Sequence, residues 1–223
     1  MRSLAAITAP WGLKWIEVIM MVEFLALMSE HLSSAFALLG VLLMIVLGLY
    51  LRRVRMSTKT LIVVALMLAL TLLLYHLRIY HFPQGGSITA GSMVPLLLLS
   101  YRYGPGIGAL AGFLCGMLIM IQDPFILHPV QVLFDYPLPF VAIGLAGALS
   151  RHLMLSTALA FLGRFLCHFV SGLVFFSSYA PEGMSPVIYS LTVNASLMVP
   201  ECLICCLVLK LLPVRRLLSA MGE

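Results

Sequence analysis

Charge is the scarcest commodity in this sequence. Of its 223 residues only 9% are Asp, Glu, Lys or Arg, 62% are hydrophobic, and the mean hydropathy is +1.12. A soluble globular domain carries about a quarter charged residues, so the shortage excludes a soluble fold and specifies an integral membrane protein. The formal charge of +5 does not mark a nucleic-acid binder. Its basic residues gather at segment ends, as in Arg52, Arg53, Arg55 and Lys59, then Lys210, Arg215 and Arg216, which is topology information. Cysteines are few and poorly placed for metal. Cys202-x-x-Cys205 has the spacing of a ligand pair, but no second pair or nearby His completes a tetrahedral site, so the thiols read as buried and inert. No Gly-x-x-x-x-Gly-Lys-Ser/Thr occurs, which excludes ATP hydrolysis by a P-loop. No Gly-x-Ser-x-Gly nucleophile occurs either. The first apolar run carries Glu17 and Glu23 and lacks a cleavage pattern, so no cleavable leader is expected.

What is present is a succession of long apolar runs. Their length argues for helices over a β-barrel, whose strands would show weak alternation over about ten residues. The expected fold is an all-α integral membrane protein. Residues 13–29 form a short span or interfacial helix, and 32–51 a clean span stopped by Arg52-Arg53-Val54-Arg55. Further spans are expected at 58–78, 92–101, 105–121, 131–150, 153–176 and 187–212. If 58–212 makes six passes, Arg52 to Lys59, Arg102, Arg151 and Arg215/Arg216 fall on one side, which the positive-inside rule makes cytoplasmic. The loops 79–91, 122–130 and 177–186 then face outside. The division is a hydrophobic extension of one or two helices (1–57), a six-helix membrane domain (58–213) and a basic cytoplasmic tail (214–223).

Three polar islands interrupt the apolar background: Pro-Gln-Gly-Gly-Ser at 83–87, His-Pro-Val-Gln…Phe-Asp-Tyr-Pro at 128–137, and His168 through Asn194. Polar groups beside membrane segments are costly and by default mark a site. All three islands fall toward the same, outer, face. Asp135 either caps a helix end, pairs with an Arg, or binds a ligand amino group or cation, and the nearby loops offer few cations for a pair. His168, Gly172 and Phe176 lie at i, i+4 and i+8 on one helical face. They make either a satisfied core histidine or a wall for a flat heteroaromatic ring, with Gly172 leaving space before the imidazole. Tyr189 and Asn194 add a hydroxyl and an amide, for an interhelical bond or for a ring edge that needs donor and acceptor together. Gly104, Gly108, Gly112 and Gly116 draw a smooth stripe along one helix, and Ala65 and Ala69 a shorter one. Small-residue stripes let helices approach closely in lipid.

The segments Pro-Gln-Gly-Gly-Ser-Ile (83–88), His-Pro-Val-Gln-Val-Leu-Phe-Asp-Tyr (128–136), Arg-Phe-Leu-Cys-His-Phe-Val-Ser-Gly (164–172) and Tyr-Ser-Leu-Thr-Val-Asn-Ala (189–195) resemble the thiamine-specific S component of energy-coupling factor transporters, the ThiT/YuaJ family. The likeness spans about 58–213 in order and spacing. It implies a six-helix subunit of the cell membrane, without catalytic activity or cofactor, that binds thiamine near the outer surface. Carried over by position, Asp135, Tyr136, His168, Gly172, Phe176, Tyr189 and Asn194 are the implied ligand contacts. The acid, tyrosine and asparagine would bond the aminopyrimidine, and the histidine and aromatics would sandwich the rings. Ala65-x-x-x-Ala69 is similar to the motif that docks on the coupling transmembrane subunit, itself joined to two ATPase subunits. Departures are Phe176, where some members have Trp; Tyr80, His81 or Phe82 where some offer a Trp; and Asp135 where some have Glu. The loop 79–91 would serve as a lid hinged at Gly85-Gly86. The rival readings are a stand-alone proton-coupled carrier relaying through Asp135, Glu201 or His168, and, further off, an intramembrane enzyme.

Overall fold

The structure is a computed structural model, and it describes residues 36–83 and 85–221. The chain divides into two compact units, residues 1–41 and 42–223. The expected span at 13–29 and the start of that at 32–51 lie outside the described residues. The first described element, α1 (Phe36–Leu51), is a short apolar helix.

The remaining elements belong to the second unit. Helix α2 (Thr58–Tyr75) begins where Ser57 accepts the Thr60 N–H at 3.1 Å, so a side chain caps a donor the helix cannot satisfy. A two-stranded antiparallel hairpin follows, β1 (Arg78–His81) and β2 (Ser87–Thr89), pairing Tyr80 with Ile88 and His81 with Ser87. Then come α3 (Val94–Gln122), α4 (Pro129–Asp135), α5 (Pro137–Val141), a 3₁₀ run over Ala142–Leu149, α6 (Leu153–Phe175), α7 (Pro186–Leu211) and α8 (Val214–Ala220). Five segments among the described residues are long and apolar enough to span a bilayer: α2, α3, Pro129–Leu149, α6 and α7.

Two of these segments differ from their expected form. The expected spans 92–101 and 105–121 are two helices, as the sequence divides them, but they meet at Gly104 with no loop between, and its φ of 84° ends the first. Eight residues of straight helix would separate Ser100 from Gly108 by about 12 Å, yet a β-carbon on Gly108 would overlap the Ser100 hydroxyl. The chain therefore folds back at Gly104, and this residue is the breaker of the glycine stripe rather than part of it. The first half, from Met93 to Tyr101, is buried throughout. A segment of ten residues is too short to span but is tolerated inside protein, away from lipid. The expected helix 131–150 is instead α4, α5 and a 3₁₀ run, interrupted at Tyr136 before Pro137.

The rest of the stripe packs the bundle internally. A β-carbon at Gly112 would overlap the Phe140 carbonyl, and one at Gly116 the Tyr136 carbonyl. From the other side Gly144 and Gly147 press on the backbone at 104–109. Backbone thus meets backbone along the contact, the form that van der Waals packing takes where lipid offers no hydrophobic contrast. At the end of the bundle opposite the hairpin, the Tyr103 hydroxyl donates to the Met221 carbonyl at 2.5 Å and the Tyr101 hydroxyl to that of Leu153 at 3.1 Å. The tail is accordingly a helix tied to the bundle.

Candidate functional site

The hairpin end of the second unit encloses a cavity of about 190 Å³. Its walls come from the hairpin, the loop after α3, the α4–α5 junction, α6 and α7. All seven residues singled out as candidate contacts line it: Asp135, Tyr136, His168, Gly172, Phe176, Tyr189 and Asn194. Ala65 and Ala69 do not; they sit exposed on α2 beside Ile62, Leu66 and Leu73.

Asp135 ends α4, a helix started by His128 capping the Val130 N–H and by Pro129 in its first turn. Its Oδ1 lies 3.2 Å from His168 Nδ1, and its Oδ2 accepts from Gln131 Nε2 at 2.5 Å. A carboxylate offers about four lone-pair positions, so two remain for a ligand. Because the carboxylate only accepts, His168 Nδ1 carries the proton of that bond. Its Nε2 is buried and takes no partner among the described residues, so it turns an acceptor to the interior when the ring is neutral.

Tyr136 points its hydroxyl away from such a role. It accepts the Phe125 N–H at 2.6 Å and donates to the Asp123 carbonyl at 3.1 Å, bracing the loop after α3. Asn194 is held similarly. Its Nδ2 donates to the carbonyls of His168 (3.2 Å) and Ser190 (2.9 Å); only the nitrogen can serve two carbonyls, so Oδ1 is the group it can offer a ligand. Gly172 works differently from the expectation that it opens space before His168. A β-carbon there would overlap Ser190 Oγ and stand 3.0 Å from Asn194 Nδ2. Its bare backbone admits α7 side chains rather than leaving a gap. Phe176 stacks on Phe125 with centroids 5.8 Å apart and planes 19° from parallel, and Tyr179 leans on it at 5.7 Å.

The expected lid is the hairpin tip. Gly85 and Gly86 both have positive φ, 89° and 86°, conformations that a side chain would strain. Gly86 rests on Leu197 and Gly85 on Phe125. The hairpin is anchored by Arg78, whose Nη2 lies 2.6 Å from Asp123 Oδ2 and whose guanidinium sits 5.1 Å from the Tyr75 ring centroid.

Charge is distributed unevenly around the cavity. Asp123 is matched by Arg78. Arg164, buried over the Phe140 ring at 4.6 Å, is matched by the buried Glu201 at 3.8 Å. Glu201 in turn accepts from the Thr89 hydroxyl at 2.9 Å. Asp135 has a histidine, and no Lys or Arg among the described residues lies within ion-pair distance of it. With histidines counted neutral, the group carries one net negative charge.

Sequence reasoning passed over Gln131, Phe125, Ser190 and Arg164 as individuals. Arg164 had a usable signal, a charge in mid-span of an apolar helix. Gln131 stands four residues before Asp135, one helical turn away. Phe125 and Ser190 had none, because only the fold brings them to the cavity.

The sequence profile of the family described as Thiamine transporter protein (Thia_YuaJ) matches residues 61–219. The chain belongs to this family. Among its relatives is the Thiamine transporter ThiT of Bacillus subtilis (strain 168), 42% identical over 147 residues, 58% of this chain and 76% of that protein. The Thiamine transporter ThiT of Lacticaseibacillus paracasei is 30% identical over 122 residues, 46% of this chain and 61% of the relative. A solved structure of ThiT from Listeria monocytogenes superposes with a TM-score of 0.64 at 21% identity, covering 70% of this chain and 93% of that one. That likeness shares the fold: a helical membrane bundle. Membership of a family of transporters makes the role one of transport rather than catalysis.

Proposed function

We propose that this chain captures thiamine at the outer face of the cell membrane, as the substrate-binding subunit of an ATP-driven uptake system of the energy-coupling-factor type. The observation that carries the reading is Asp135: a carboxylate without a Lys or Arg partner among the described residues, 17% exposed, in an aromatic-walled cavity, within a chain of the thiamine transporter family. Thiamine joins a permanently charged thiazolium to a flat aminopyrimidine. A cavity with one excess negative charge suits the former, and stacked rings suit both.

In this reading Asp135 accepts from the amino group and balances the thiazolium. Asn194 Oδ1 and the Tyr189 hydroxyl read the pyrimidine edge. His168 and Phe176 stack on the rings, cation–π attraction adding to Phe176. Tyr136 and Gly172 serve by holding the loop and the α6–α7 contact around them. The hairpin acts as lid.

Orientation follows from the cations. Arg52, Arg53, Arg55, Lys59, Arg102, Arg151, Lys210, Arg215 and Arg216 flank the helix ends away from the cavity, which supports a cytoplasmic C-terminus and a cavity open to the outside. Energy would come from two ATPase subunits through a coupling membrane subunit, since this chain has no P-loop. The exposed small-residue patch at Ala65 and Ala69 is the face we assign to that subunit, and membrane lipid would cover the surrounding leucines. The test is thiamine uptake into proteoliposomes with this chain alone, and with the coupling and ATPase subunits added. Uptake that requires them and ATP is expected. Uptake by the chain alone under a proton gradient would establish a carrier instead.

A further inference from the structure

We propose that Gln131 is a positioning residue of the cavity, a clamp that fixes the aim of the Asp135 carboxylate and fastens it to the loop bearing the aromatic wall. The proposal rests on the reading of Asp135 as the thiamine anchor. Gln131 is 1% exposed, deeper than the acid it serves. Its Nε2 donates to Asp135 Oδ2 at 2.5 Å and to the Phe125 carbonyl at 3.0 Å, and its Oε1 accepts the Leu127 N–H at 3.0 Å. A primary amide has two N–H donors, and both are committed here. Gln131 lines the cavity yet has no donor left for a ligand, so its effect on binding must pass through what it holds.

What it holds are the two halves of the recognition surface. One is Asp135, whose other oxygen is fixed by His168 from α6. Bonds from two helices set the plane of the carboxylate before any ligand arrives, and the remaining lone pairs are thereby aimed. The other is Phe125, which stacks on Phe176. Anchor and wall are thus registered by one amide. An apolar side chain of the same length would leave Asp135 Oδ2, the Phe125 carbonyl and the Leu127 N–H unpaired. The carboxylate could then rotate about its last bond.

A double-mutant cycle read by calorimetric thiamine titration tests this. Gln131→Met should weaken binding by about tenfold or more, the scale of a lost charge-assisted bond. In an Asp135→Asn background the same change should cost distinctly less, because the part of its effect that passes through the carboxylate is already gone and only the hold on the Phe125 loop remains. Equal losses in both backgrounds, or wild-type affinity in Gln131→Met, would overturn the clamp. Gln131→Asn, too short to reach Asp135, replaces the Met variant if that one fails to fold, with the same pattern expected.

A ligand-free readout separates this from the function. Asp123 and Asp135 are the only aspartates in the sequence, so carboxyl-labelled aspartate gives two carbon resonances. Losing the Gln131 N–H removes a bond to Asp135 Oδ2, so at fixed pH the Asp135 carboxyl resonance should shift in Gln131→Met while that of Asp123, held by Arg78, stays in place. An unmoved Asp135 resonance would refute the clamp even if thiamine proved not to be the ligand, whereas failure of the wild type to bind thiamine would refute the function alone.

Discussion

Replacing Asp135 by Asn removes one charge and almost no volume, so it isolates electrostatics. Two losses are expected. A hydrogen bond from the ligand amino group to a charged acceptor is worth about 1.5–3 kcal/mol. A thiazolium held about 6 Å away at an effective dielectric of about 20 gains roughly 2.8 kcal/mol from the carboxylate. That dielectric suits a group that is 17% exposed and not deeply buried. The terms overlap, and the carboxylate is partly desolvated before binding, so the net loss should be about 2–3 kcal/mol. This corresponds to thiamine binding roughly 30- to 150-fold more weakly. Calorimetric titration of purified wild type and variant measures it. The neutral aminopyrimidine alcohol, thiamine without its thiazolium, makes the control. It loses only the hydrogen-bond part, so its affinity should fall by less than that of thiamine. A thermal melt verifies folding. Thiamine affinity within about threefold of wild type in a folded variant would refute the assignment of Asp135.

Other perturbations probe other parts. Phe176→Ala removes the ring stacked on Phe125 and should weaken thiamine binding by about 1–2 kcal/mol in the same titration; an unchanged affinity would move the stacking role elsewhere. Ala65→Trp fills an exposed position far from the cavity lining. ATP-dependent uptake should be abolished while thiamine affinity stays within about twofold, and parallel loss of both would assign Ala65 to folding. Gly112→Ala sets a methyl against the Phe140 carbonyl. Overpacking costs about 1–3 kcal/mol, so the melting temperature should drop by roughly 3–10 °C. A melt like the wild type would mean that the α3–α5 contact yields freely.

The membrane class and most helix positions were legible because length and apolarity decide them directly. α6 and α7 came within a residue of their expected bounds. What sequence could not show was how the irregular elements are built. That the run 92–101 ends before 105 was legible, and the chain does turn back at Gly104, but nothing in the run shows that it hides inside the bundle, since burial in protein and burial in lipid select the same residues. The expected continuous helix at 131–150 failed because Pro137 and Pro139 act together with Tyr136, whose hydroxyl is drawn to the loop at 123–125. Long-range hydrogen bonds outweigh local pattern there. At the site, candidate residues could be named from polar groups in apolar surroundings. Their division of labour could not. Tyr136 and Asn194 looked alike as donors and acceptors, but partners from 11 to 26 residues away decide which of their atoms are free. Gln131 was legible only as one letter of a motif until its three partners came together.

The most direct test of the account is a titration of the purified full chain in detergent, with thiamine as ligand and riboflavin and biotin as controls, in the absence of any partner subunit or nucleotide. Calorimetry suits it, since it reads the heat of binding directly and the sequence has only two tryptophans, Trp11 and Trp15, to report by fluorescence. Saturable binding of thiamine near one equivalent, with no heat from the controls, is the predicted result. A folded sample that leaves thiamine unbound would contradict the account.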